Sequence, residues 1–208
     1  MLMDRVETWT MNNPVRAAVQ TWVEASWLLH LGGRLDGGEA LELGCGRGEG
    51  LRIILERFGA RRAVGIDLDP AQVARARRRL GTTPGDAAEA PVGDVARLEF
   101  PEASFDAVFD FGILHHCAEW RQALREVHRV LKPGGRFYFE EVLQGFLETR
   151  LARGLFRHPA EGHFTAREFA LACEDAGFKL LRPMTELGPY FTLGVAVRLD
   201  VPTPVPAG

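Results

Sequence analysis

The sequence predicts an α/β fold: a single-domain, Rossmann-like, seven-stranded, mostly parallel sheet with an antiparallel edge strand and helices on both faces. Three observations predict it. From residue 39 onward short apolar runs alternate with helical patterns, as crossover units of a parallel sheet do. A glycine-rich turn follows the first strand directly. Two strands close the chain with no helix between them, which attaches an antiparallel edge to a parallel block. A chain of 208 residues, 46% hydrophobic, suits one core and is short for two. The expected domain is therefore residues 1–201, with the proline-rich stretch 202–208 as a tail.

Asn13 is placed to cap a helix and Pro14 to open it, and Gly32-Gly33 ends it. Val15, Ala18, Val19, Trp22, Ser26 and Leu29 recur at helical spacing, predicting an apolar face that includes Trp22. Glu39 to Leu43 reads as the first strand and Leu51 to Phe58 as a helix stopped by Gly59. Arg62 to Ile66 is the second strand. Asp69-Pro70 caps a helix that runs to Leu80 and ends at Gly81. Phe105 to Phe111 is a strongly apolar strand. Trp120, Ala123, Leu124, Val127 and Leu131 mark an amphipathic helix. Pro133-Gly134-Gly135 reads as a turn before a strand from Arg136 to Val142. Helices are expected near Leu143 to Phe156 and from Thr165 to Ala176, then strands at Phe178 to Arg182 and Tyr190 to Leu199.

The formal charge of −3 provides no field to gather a polyanion, so nucleic acid is not the expected partner. No apolar run approaches the roughly 20 residues of a bilayer span, and the first residues carry no signal-peptide stretch. A cytoplasmic location is expected. Cys45, Cys117 and Cys173 are widely spaced and odd in number, which suits neither a disulfide framework nor a zinc site. They read as reduced thiols, and no metal is expected.

In such a sheet ligands sit beyond the carboxyl ends of the strands, so the loops there hold the candidate site. Gly44, Gly46 and Gly48 let the backbone turn sharply and approach a ligand. Their spacing departs from the dinucleotide fingerprint, because the sixth position falls on Glu49 or Leu51. Glu42, two residues before, suits a cofactor bearing a sulfonium and an ammonium better than a pyrophosphate. Asp67 ends the second strand, where a carboxylate can accept from both hydroxyls of a ribose. Asp69 competes for that role but sits where the helix needs its cap. Leu68 is placed to cover an adenine face. Gly93-Asp94-Val95, expected ahead of a strand, offers a carboxylate for an adenine amino group and a backbone donor for a ring nitrogen.

These residues resemble the class I S-adenosylmethionine-dependent methyltransferases, in particular the small-molecule branch similar to the ubiquinone/menaquinone and sterol methyltransferases. Three stretches carry the resemblance: Leu41 to Gly48, Gly65 to Pro70, and Leu114-His115-His116 through Arg129 to Arg136. It spans roughly Glu39 to Val142. It implies S-adenosyl-L-methionine as cofactor, with Glu42, Gly44, Cys45 and Gly46 at the methionine end, Asp67 on the ribose, and Asp94 and Val95 on the adenine. Asp110 or Phe111 would contact the methionine portion through its backbone. The implied reaction is methyl transfer to a small-molecule acceptor.

A displacement at a sulfonium-activated carbon needs alignment and exclusion of water more than acid–base groups. Where the acceptor carries a proton a base helps, and His115 and His116, following the fourth strand, are the candidates; both equally suit packing or capping. Strand alternation lets only one of Glu140 and Glu141 face the acceptor, and Glu140 is taken as the candidate. His163, Phe164 and Tyr190 are further lining candidates. His128 and Cys117 read as structural. Residues 143–164, with Arg150, Arg153 and Arg157, and residues 1–33, with Trp22 and Trp27, are candidate lids. Competing readings are a methyltransferase acting on RNA or protein, a cofactor-binding protein without transfer activity, and aminopropyl transfer or cyclisation on the same fold.

Overall fold

The computed structural model describes residues 18–81, 87–149 and 163–199. The proposed cap at Asn13, the arginines of the second candidate lid and the tail 202–208 lie outside them.

Five strands form a parallel block: β1 (Glu39–Leu43), β2 (Arg62–Ile66), β3 (Ala88–Glu89), β4 (Phe105–Phe111) and β5 (Leu131–Val142). β8 (Phe191–Arg198) runs antiparallel along the β5 edge of that block, carrying β6 (Phe178–Leu180) and β7 (Thr185–Leu187) as antiparallel neighbours. The spatial order is β3-β2-β1-β4-β5-β8-β6, with β7 on β8. The direction of winding reverses between β1 and β4, so that pair marks the switch point where a crevice opens.

The strands read from the sequence at 39–43, 62–66 and 105–111 match the structure residue for residue. Three features depart from expectation. β3 has only two residues, too few for a periodic signal, and Gly93-Asp94-Val95 lies between it and β4. Pro133-Gly134-Gly135 does not separate two elements. It is an irregularity inside β5, where pairing with β4 jumps from Phe105↔Leu131 to Ala107↔Arg136 and Gly134 takes φ +73°, a bulge that glycine makes cheap. The added β7 raises the sheet to eight strands.

The helices are α1 (Ala25–Gly32), preceded by a π-helical turn at Gln20–Glu24, α2 (Glu49–Glu56), α3 (Pro70–Leu80), α4 (Trp120–Val130), the short α5 (Gln144–Leu147) and α6 (Ala166–Asp175). Asp69 caps α3, accepting the Ala71 N–H at 2.8 Å. Thr165 and Glu168 form a capping box at α6. The apolar face predicted for the first helix is wrong: Trp22 and Val19 are exposed, and Thr21, Ala25 and Leu28 are buried instead. Small residues let this helix lie close to the sheet, Gly32 against Tyr138 and Val195, while Trp22 lies outside beneath the Arg57 guanidinium, 5.4 Å from its ring centre.

Each sheet face has its own core. One packs Leu41, Val108, Phe137 and Phe139 against Trp120, Leu124 and Phe169. The other packs Ala40, Phe109 and Tyr138 against Leu28, Leu51 and Phe58. Among the described residues no helix is long and apolar enough to cross a membrane.

Candidate functional site

At the carboxyl ends of the parallel strands a cavity of about 230 Å³ is lined by Gly44 after β1, Asp67 to Asp69 and Gln72 after β2, Gly93 to Ala96 after β3, and Ile113 and His116 to Glu119 after β4. Of the residues singled out from the sequence, Gly44, Asp67, Leu68, Gly93, Asp94, Val95 and His116 therefore share one wall system. Glu42, Cys45, Gly46, Asp110, Phe111, His115 and Glu140 lie outside the lining.

Several of those support it from behind. The turn after β1 is built on left-handed glycines, Gly44 at φ +62° and Gly46 at φ +51°. Asp67 clamps that turn: its Oδ2 accepts the Gly46 N–H at 2.9 Å and its Oδ1 the Asp69 N–H at 2.8 Å. Asp94 folds its own loop by accepting from Ala96 N–H at 2.9 Å. Glu42 is buried behind the glycines, and its Oε2 meets no hydrogen-bond donor among the described residues. Burial, with Asp67 and Glu49 nearby, pushes its carboxyl well above the usual range. Burial likewise raises Asp67, opposed by its two backbone donors. Cys45 is buried with its thiol pushed up by desolvation and by Glu42, an unreactive thiol.

The loop after β4 is organised by carboxyl groups. Asp110 Oδ1 accepts from Ile113 N–H at 2.9 Å. Glu141 Oε1 accepts from Leu114 N–H at 2.6 Å, and its Oε2 lies 2.7 Å from His115 Nδ1. These bonds hold the short 3₁₀ turn Leu114–His116. The His115 and His116 rings stand 4.0 Å apart, with only His116 on the cavity. Burial, then His163, lowers the His115 imidazole to about 3, so its contact with Glu141 is a neutral N–H···O bond rather than an ion pair.

Strand alternation divides the two glutamates. Glu141 shares a face with Phe137 and Phe139, is fully buried and reaches the histidine turn; Glu140 is half-buried on the other face. Counting by twos from the apolar Phe137 would have singled out Glu141. Ile113, Cys117, Ala118 and Glu119 also line the cavity; Cys117, read as structural, is half-exposed there. Phe164 is buried against Trp120 at 4.6 Å, and Tyr190 is exposed; neither lines it. Among the described residues no cluster fit for a metal ion occurs.

Residues 41–139 match a family model described as a methyltransferase domain. A Mycolicibacterium smegmatis protein named a probable S-adenosylmethionine-dependent methyltransferase is 38% identical over 104 residues, half of this chain and 38% of that one. A sterol 24-C-methyltransferase from Eremothecium gossypii is 35% identical over 114 residues, 53% of this chain and 30% of that one. The chain thus spans less than half the length of these curated relatives. A structure described as an S-adenosylmethionine-dependent methyltransferase from Aquifex aeolicus superposes with a TM-score of 0.74 at 20% identity, over 94% of this chain and 99% of that one, a likeness of fold.

Proposed function

We propose that this chain, whose residues 41–139 belong to the class I S-adenosylmethionine-dependent methyltransferases, transfers a methyl group from that donor to a small-molecule acceptor. The observation that carries the reading is the single cavity shared by Gly44, Asp67, Leu68, Gly93, Asp94, Val95 and His116. Bound there, the donor supplies a methyl carbon already activated by its sulfonium.

The residues suit that group. Asp67, Asp69, Asp94 and Glu119 surround the cavity with carboxylates, and a cation is what such a field selects; Glu42, pushed toward its neutral form by burial, stands behind the turn with an oxygen to spare. Asp67 spends one lone pair of each oxygen on a backbone N–H and keeps the other for a ribose hydroxyl. Asp94 and Val95 take the adenine edge and Leu68 its face. Gly44 and Gly46 bring the backbone to the methionine end, beside Glu42 and Cys45. The backbone of Asp110 or Phe111 holds the rest of the methionine portion.

For an acceptor that loses a proton, the base lies in the histidine pair: His116 borders the cavity, and His115 is held from behind by Glu141. Glu140, on the opposite face of β5, is assigned the acceptor side. Relatives named for sterols and fatty acids support a small, largely apolar acceptor. The unpaired cysteines fit a reducing, cytoplasmic setting. Residues 1–33 and 143–164 are the proposed lids. Calorimetry with S-adenosylmethionine and S-adenosylhomocysteine, followed by a methylation screen of phenols, amines, thiols and lipids, tests the reading. Binding with methylated product supports it. No binding overturns it, and binding without any product returns the chain to the noncatalytic class.

A further inference from the structure

The ends of β4 and β5 bring two carboxyl groups together inside the protein: Asp110 and Glu141 are both fully buried, and the register that pairs Asp110 with Phe139 sets Glu141, two residues further on, on the same face beside it. Among the described residues no lysine or arginine pairs with either one. Two adjacent carboxylates in a dry interior do not both stay ionised. Their other partners divide unevenly. Glu141 accepts from Leu114 N–H at 2.6 Å, Val142 N–H at 3.1 Å and His115 Nδ1 at 2.7 Å, all of which favour its charged form. Asp110 uses Oδ1 for Ile113 N–H at 2.9 Å, while its Oδ2 meets no donor.

We propose that Asp110 and Glu141 share one proton, carried on Asp110 Oδ2 and donated to Glu141, and that this acid–carboxylate pair is the positioning element that holds the Leu114–His116 turn. Atoms balance without any outside reagent: one O–H on Asp110, one carboxylate on Glu141, one Nδ1–H on His115. With that proton on Nδ1, the lone pair of His115 sits on Nε2, on the side of the ring away from both carboxyls. Among the described residues, Glu141, His116 and His163 face His115. Burial and the charge of Glu141 push the Asp110 carboxyl well above its ordinary range, in the same sense. The inference leans on the methyl-transfer reading only for what the turn is used for.

The pair has an asymmetry that isosteric amides expose. Asp110→Asn puts an N–H where the O–H stands, so this variant should fold and keep a melting temperature close to that of the parent protein. Glu141→Gln places an N–H against the donors on Leu114, Val142 or His115 and should lower the melting temperature clearly, with S-adenosylhomocysteine binding weakened by about tenfold or more. Infrared difference spectra at neutral pH should show a protonated carboxyl C=O band in the parent protein that Asp110→Asn removes. The reverse tolerance, equal tolerance of both amides, an unfolded Asp110→Asn protein, or a band unaffected by Asp110→Asn each overturns the proposal. If the parent protein binds no S-adenosylhomocysteine, the methyltransferase reading fails, while the infrared and melting measurements still decide where the proton lies.

Discussion

Asp67, at the tip of β2, accepts the backbone N–H of Gly46 at 2.9 Å, so the carboxylate ending one strand fixes the turn that follows its neighbour. A residue chosen for a ribose thereby also shapes the glycine loop. Asp67→Ala should lose both, weakening S-adenosylhomocysteine binding by about 1.5–3 kcal/mol, or ten- to hundredfold, in calorimetry. An affinity equal to that of the unaltered protein would remove Asp67 from the site.

Gly44 and Gly46 both take positive φ, yet their surroundings differ. A Cβ at Gly44 would run into the side chain of Ile113, whereas one at Gly46 meets nothing within 4 Å. Gly46→Ala should cost about 1–2 kcal/mol of stability, the conformational penalty alone. Gly44→Ala should cost visibly more and also displace a cavity wall. Chemical denaturation of the two variants ranks them, and equal losses would deny the contact with Ile113.

His115 ties stability to pH. Its imidazole titrates near 6.5 in the unfolded chain but is lowered to about 3 in the folded one, chiefly by burial and then by His163. Between those values the unfolded chain holds the extra proton, so this contribution is intact above pH 6.5 and is lost as pH falls toward 3. Asp110, shifted upward, works in the opposite sense. His115→Asn should therefore flatten the acid limb of the unfolding free energy against pH. An unchanged slope would mean that His115 is charged in the folded protein.

The Tyr138 hydroxyl reaches the carbonyls of Gly32 at 3.0 Å and Gly33 at 2.9 Å, fastening the end of α1 to the sheet. Tyr138→Phe should cost about 0.5–1.5 kcal/mol and leave the cavity unchanged. Thermal unfolding measures the first expectation and S-adenosylhomocysteine titration the second.

Where local chemistry decides structure, the sequence is easy to read. Asp69-Pro70 can hardly be anything but a helix start, and the runs 39–43, 62–66 and 105–111 carry their strand identity in their apolar composition. Gly44 and Asp67 to Asp69 are legible because each follows such a run, whereas Gly93 to Val95 follow the two-residue β3 and Gln72, inside α3, carries no such signal. Long-range packing was not. Trp22 lies outside because the sheet accepts only the small face of α1, which no property of Trp22 reveals. The bond between Glu141 and His115 joins residues 26 apart in sequence and follows from the register of β4 on β5. β7 exists because β8 offers it a free side.

All fourteen cavity-lining residues fall between Gly44 and Glu119. Among the described residues, α5, α6 and the antiparallel strands after β5 contribute none of them. The cavity and the described elements beyond β5 thus sit apart, joined at the histidine turn, where His163 faces His115. If the cavity holds the donor as proposed, swapping residues beyond β5 between such proteins should change the acceptor while S-adenosylhomocysteine affinity stays the same.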